Sequence, residues 1–304
     1  MASKQFYAHG KLLLTGEYTV LDGAIALAIP TKFGQWLSVS STPESNNLQW
    51  NSVDRNGDSW FAVTFDSKLN LLNSTDSKIG SKLQKILHTA VIENPNFVQE
   101  FIGKSVETKL EFNRDWGLGS SSTLIHLISQ WAKVNPYHLL KNSFGGSGYD
   151  IACAEAEGSI FFNIGNPPNI QKINFNPQWK ENLYFVYLGQ KQVSSQEIAK
   201  YSDLQFDRDK LATKISELSN QLITTNSLHD FKSILEEHEQ LLSHTLGYPT
   251  VKSQRFSNIQ GTFKSLGAWG GDFVLFVGDK TELEEIKSLG YTTILSWEEM
   301  ILKA

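Results

Sequence analysis

The stretch Arg114–Trp131, RDWGLGSSSTLIHLISQW, decides how this chain of 304 residues is read. It starts polar, passes through Gly117-Leu118-Gly119 and three serines, and then turns strongly apolar. Just before it, KSVETKLEFN (104–113) alternates, with Val106, Thr108, Leu110 and Phe112 on one face, which is the period of a strand. Just after it, the apolar spacing predicts a helix over about 121–134. A strand, a glycine turn and a helix in succession put unpaired backbone N–H groups at the positive end of a helix dipole, and that end attracts phosphate. Glycine lets backbone approach an anion without a Cβ clash. Serine hydroxyls there can bind a phosphate oxygen or a Mg²⁺ ion, or can simply cap the helix. The stretch alone leaves cradle and cap both open. It is not a Walker A loop, because no Gly-Lys-Ser/Thr follows at the required spacing.

Three other segments share its glycine-rich character. GGSGYDIACAEA (145–156) sets Asp150 just inside a helix, where a carboxylate either complements the dipole or accepts a substrate hydroxyl proton. KSLGAWGGDF (264–273) is a glycine loop between strands, either a hairpin or a second backbone wall around a nucleotide. GKLLLTGEYTVLDG (10–23) carries Lys11 at the head of an apolar strand, a surface lysine or one aimed at phosphate or at a catalytic carboxylate.

The rest of the chain reads as mixed strands and helices, an α+β protein. Asn56-Gly57 signals a hairpin. Ile79, Leu83, Ile86, Leu87 and Ala90 space a helix over Ser77–Glu93 that Pro95 ends. NPPNIQKINFNPQW (166–179) reads as a loop and a domain boundary, dividing the chain into 1–165 and 166–304. Residues 207–245 read as two helices broken at Asn226-Ser227, with Ser227 capping the second. The last segment reads as strand, glycine loop, strand, helix, strand, a split β-α-β arrangement.

Composition narrows the function. Hydrophobic residues are 40% and charged residues 19%, a globular balance. The net charge of -5, without a basic run, argues against nucleic acid as a partner. The single cysteine, Cys153, excludes an internal disulfide and fits the reducing cytoplasm. No secretory h-region and no membrane-length apolar run are expected. His229, His238 and His244 do not have the spacing of a zinc site.

The four segments occur in one order: G-K-x₄-G-E-Y, G-L-G-S-S, G-S-G-Y-D and G-A-x-G-G-D. This set, from Lys11 to Asp272, resembles the GHMP kinase superfamily, and Tyr18, GSGYD and GGD are most similar to its phosphomevalonate kinases within the mevalonate and phosphomevalonate kinase branch. The resemblance implies a two-domain fold, with an N-terminal ATP-binding domain like ribosomal protein S5 domain 2 and a ferredoxin-like C-terminal domain. It implies ATP and Mg²⁺ as cofactors and a small-molecule acceptor, mevalonate or phosphomevalonate, for a monomer or homodimer. A homoserine- or sugar-type kinase and a non-catalytic nucleotide-binding protein are the alternatives. The resemblance further implies Asp150 and Lys11 as catalytic residues. Nucleotide would lie over Gly117, Leu118, Gly119, Ser120, Ser121 and Ser122, with Gly267, Gly270 and Gly271 as the second wall. Ser121 would meet the metal, and Glu17, Tyr18 and Gly148 the acceptor. The chain departs from the family pattern at Arg114-Asp115-Trp116, at Trp269 in place of a glycine, and at Leu139, near where mevalonate kinases carry a glutamate.

Overall fold

The computed structural model describes residues 4–42, 45–190, 194–269 and 271–303. In chain order the elements are β1 (Lys4–Thr15), β2 (Ala26–Ser41), β3 (Leu48–Val53), β4 (Ser59–Phe65), β5 (Leu71–Ser74), α1 (Ser77–Glu93), α2 (Phe97–Phe101), β6 (Lys104–Leu110), α3 (Ser120–Ala132), α4 (Pro136–Ser143) and α5 (Tyr149–Glu155). They continue with β7 (Ile160–Asn163), β8 (Asn169–Lys172), β9 (Leu183–Tyr187), α6 (Ser194–Asp203), α7 (Arg208–Thr224), α8 (Leu228–Leu246), α9 (Val251–Arg255), β10 (Thr262–Ser265), β11 (Phe273–Val277), α10 (Lys280–Ser288), β12 (Ile294–Ser296) and α11 (Trp297–Met300). These gather into two compact units that interleave along the chain. One takes Met1–Gly10, Phe33–Arg114 and Leu118–Glu155, and the other Lys11–Lys32, Asp115–Gly117 and Ala156–Ala304.

In the first unit the strands lie in the order β5-β4-β3-β6-β2, antiparallel except for the parallel pair β3–β6. The alternation in each strand turns Leu37, Trp50, Phe61, Phe65 and Val106 into one core with Leu83, Leu87, Ile125, Ile128 and Trp131 from α1 and α3. α1 forms at its predicted limits. Asp76 caps it by accepting from Lys78 N and Ile79 N at 2.9 and 3.1 Å. The Asn56-Gly57 turn joins β3 to β4, with Gly57 at φ +93°.

The second unit holds an antiparallel sheet in the order β10-β11-β9-β12. Taken in chain order, its elements run strand, helices, two strands, helix, strand, which is the ferredoxin-like pattern. α7 and α8 are broken where the sequence predicts, and Ser227 Oγ accepts from Asp230 N at 3.2 Å. The N-terminal half of β2 pairs with β7, and β7 with β8. Here the loop reading of 166–179 is incomplete. All four residues of β8 are exposed and show no hydrophobic alternation, and the strand exists because its backbone pairs with β7, as in Phe162↔Ile170. Near the C-terminus, Leu302 N donates to Pro30 O at 3.1 Å. Among the described residues no helix is long and apolar enough to cross a membrane.

His126 on α3 is 2% exposed, and neither ring nitrogen has a hydrogen-bond partner among the described residues. Burial pushes its pKa down to about 4, so the folded chain holds it neutral while the unfolded chain protonates near 6.5. Its contribution to stability is complete above the unfolded value and is lost as pH falls from 6.5 toward 4. His126→Leu should therefore flatten the acid limb of a denaturation-versus-pH curve by on the order of 3 kcal/mol. An unchanged slope in the variant would show that another group dominates that limb.

Candidate functional site

The phosphate-loop candidate is built from a backbone that glycine alone tolerates easily. Gly119 precedes α3 in the left-handed region (φ 91°, ψ 39°), and no side chain caps the helix. The hydroxyls turn to other oxygens. Ser122 Oγ donates to Gly119 O at 2.8 Å and Thr123 Oγ1 to Gln35 Oε1 at 2.6 Å. Of the two readings open at the sequence level, the serine cap does not form, because Gly119 occupies the N-cap position. Leu118 is fully buried and anchors the turn, Ser120 is half-buried, and Ser121 is exposed.

Asp150 lies in the first turn of α5, half-buried, with Ile151 N donating to its Oδ1 at 3.1 Å. α5 packs on α3 within the same unit. Gly148, just before it, is buried under the ring of Tyr137, which a Cβ at that position would approach to 3.0 Å. The Tyr137 hydroxyl has no hydrogen-bond partner among the described residues. Burial first, and then the charges of Glu155 and Asp150, push its pKa up. The sequence reading passed over Tyr137, whose ring packing on a glycine is a tertiary fact.

In the second unit Lys11 is half-buried and its Nζ donates to Gly117 O at 2.8 Å. Gly117 has φ +65°, and a Cβ on it would stand 2.1 Å from Asp272 Oδ2. The backbone of Asp272 is held on both sides. Its N donates to Gln190 O at 2.7 Å and its O accepts from Leu188 N at 2.8 Å. Trp116, in the unusual lead-in, is buried edge-on against Phe273, with ring centres 5.5 Å apart.

The late glycine loop is tied down as well. The Trp269 indole is buried and donates to Pro249 O at 3.2 Å, while its backbone N–H donates to the hydroxyl of Tyr18 at 2.8 Å. The bulky residue thus lies with its ring packed into its own unit. Gly267 has φ +74° with open space beside it, Gly271 is buried, and Gly270 lies outside the described residues. Tyr18 itself has φ 59° and stacks on Tyr201, ring centres 5.2 Å apart. Its phenol pKa is pushed up, by burial above all.

Glu17 is 1% exposed, and its carboxylate pairs with the ammonium of Lys264, which has no exposure at all. His238 and Glu239 of α8 complete this buried group. Gly16 N donates to His238 Nε2 at 3.1 Å, and Lys264 Nζ is 3.7 Å from Glu239 Oε2. Burial raises the Glu17 pKa to about 7 against the opposing pull of Lys264. Burial also holds His238 well below its ordinary value, with the charge of Lys264 adding to the effect. Sequence reasoning missed Lys264. Lys264 stands between Phe263 and Ser265 in a short strand, all four of whose residues are buried.

No family model and no curated protein matches the sequence. Solved structures match along almost its whole length. The mevalonate kinase of Methanococcus jannaschii superposes with a TM-score of 0.69 at 15% identity, covering 100% of this chain and 99% of that one. The Streptococcus pneumoniae phosphomevalonate kinase in complex with phosphomevalonate and AMPPNP gives 0.71 at 17%, covering 97% and 100%. The Lactococcus lactis galactokinase complexed with galactose gives 0.69 at 11%, covering 97% and 92%.

The chain has the GHMP kinase fold. Within that fold, the expected glycine segments fall at the start of α3, at the start of α5 and between β10 and β11. Among the described residues no group of three or more His, Cys, Asp or Glu is arranged to hold a metal ion.

Gly117 and Gly267 separate two effects of a methyl group. Alanine at either position meets backbone strain of about 1–2 kcal/mol in the left-handed region, but only Gly117→Ala also collides with Asp272. Urea denaturation should find Gly117→Ala the less stable variant by a clear margin. Equal losses would show that Asp272 simply moves aside.

Proposed function

We propose that the chain is an ATP-dependent phosphotransferase that moves the γ-phosphoryl group to a small acceptor, mevalonate or phosphomevalonate, and that it works in the cytoplasm. The observation that carries this reading is the uncapped N-terminus of α3, delivered by a Gly117–Gly119 turn whose carbonyl Lys11 grips. The likeness in fold to ATP-using kinases supports it. A helix end with glycine approach and no side-chain cap suits a chain of phosphates. Phosphoryl transfer asks a protein mainly for position and charge, and these residues supply both.

In this reading the acceptor oxygen bonds to the γ-phosphorus as the bond to the departing ADP oxygen breaks. Asp150 orients the acceptor hydroxyl and takes its proton. Lys11 offsets charge that builds on the transferring group. The family resemblance assigns Gly267 and Gly271 to the nucleotide and Tyr18 and Gly148 to the acceptor. Glu17 supports the neighbouring Tyr18, since its carboxylate is taken by Lys264. Mg²⁺ is a hard cation that seeks oxygen ligands. The exposed Ser121 hydroxyl suits it, with nucleotide phosphates and water as the remaining ligands. When bound, the ion would supply charge neutralisation on the phosphates.

The test is a panel. Purified protein is incubated with Mg-ATP and separately with mevalonate, phosphomevalonate, homoserine and galactose, and ADP release is followed. Turnover is expected on mevalonate or phosphomevalonate. Turnover on homoserine or galactose alone would move the acceptor class, and tight ATP binding without any turnover would favour a non-catalytic nucleotide-binding protein. Asp150→Asn should keep the fold and lose about a hundredfold or more in turnover.

A further inference from the structure

Four ionisable side chains meet beneath the Gly16–Tyr18 turn, all of them at or below 3% exposure: Glu17 from the turn, Lys264 from β10, and His238 and Glu239 from α8. Their hydrogen bonds show which proton is where. Gly16 N–H donates to His238 Nε2 at 3.1 Å, so that nitrogen is unprotonated and the ring is neutral with its proton on Nδ1. Glu239 accepts from Ser265 N at 3.0 Å and Ser265 Oγ at 2.8 Å. Lys264 meets Glu17 Oε1 and also donates to Ser265 O at 2.6 Å. That leaves Glu17 Oε2, which has no hydrogen-bond partner among the described residues and stands 3.4 Å from the same His238 Nε2.

An imidazole nitrogen has one in-plane lone pair. While Glu17 is ionised, that lone pair belongs to Gly16 N–H. If Glu17 takes a proton, the proton settles on Oε2, because Oε1 faces the ammonium, and its nearest acceptor is the lone pair already in use. Two donors then compete for one acceptor. The turn has little room to adjust, since Gly16 has φ +92° and sits so close to Ala26 that a Cβ would lie 2.6 Å from the alanine's Cβ.

We propose that His238 and Lys264 are positioning residues which hold the Gly16–Tyr18 turn in its working shape only while Glu17 is ionised, making the turn a proton-operated device. Two features support this. With Glu17 ionised the buried group carries one net negative charge, and with Glu17 protonated it is neutral, so burial and Lys264 pull in opposite directions and leave the titration near 7. Tyr18 follows Glu17 directly and accepts the Trp269 amide, so a loosened turn reaches the late glycine loop. The charged groups facing Glu17 are Lys264 and Glu239, with the neutral His238 beside them. The effect on turnover rests on the phosphotransferase reading above. The effect on the turn does not.

The experiment is amide hydrogen exchange of the Gly16 segment in the ligand-free protein, corrected for the intrinsic pH dependence. Protection should fall about tenfold or more between about pH 8 and about pH 6, following one proton. Glu17→Gln places a permanent donor beside His238, so it should show low protection at both pH values. Flat protection in the native protein, or a Glu17→Gln protein that keeps the native step, would overturn the proposal. If Glu17→Gln does not fold, the native profile alone decides, and Lys264→Arg, which keeps the cation, should keep the step. Turnover with flat exchange would sink this device and spare the kinase reading. A clear step with no turnover on any acceptor would do the reverse.

Discussion

A lysine ammonium with no access to water has to be surrounded by compensating groups, and in this chain that demand organises the second unit. Lys264 is met by Glu17, which lies 247 residues earlier in the sequence, by Glu239, and by the carbonyl of Ser265. Taking the ammonium away would strand carboxylates in a low-dielectric interior, which costs on the order of several kcal/mol. The cluster therefore fixes where the Gly16–Tyr18 turn, α8 and the strand leading into the late glycine loop stand relative to one another. Glu17 occupies a position that the family resemblance assigns to the acceptor pocket, and its carboxylate serves to shape that turn.

The same logic runs in reverse at α3. A buried charge recruits partners, whereas a helix end with uncapped N–H groups lacks them. Serine is among the best caps available, and three serines stand at this helix start. That Ser122 and Thr123 turn to carbonyl and amide oxygens, while Gly119 occupies the cap position, means the chain gives up only about a few tenths of a kcal/mol of ordinary capping. Such a choice makes physical sense where an anion completes the helix.

What the sequence disclosed and what it hid divide along range. α1, its end before Pro95, the Asn56-Gly57 hairpin and the Ser227 cap are set by residues a few positions apart, and they form as read. β8 was hidden because it is an exposed strand made by backbone pairing alone. Lys264 was hidden because a lysine is ordinarily a surface residue, and only its partner far along the chain explains its burial. The interleaving of the two units follows from β1 and β2, each of which passes through both. No composition shift marks such a crossing.

Trp269 shows how a departure from a motif is absorbed. A bulky residue in a glycine loop would obstruct an anion if its ring faced the loop's open side. Here the indole is buried and bonded to Pro249 O, and the backbone amide is bonded to Tyr18. The amide is thereby engaged within its own unit. In exchange the first and fourth glycine segments are joined directly through Tyr18. A glycine at position 269 would keep the amide but lose the Pro249 bond and the buried indole surface, so the join would be weaker. The tryptophan is thus better understood as a brace between two loops than as a defect in one of them.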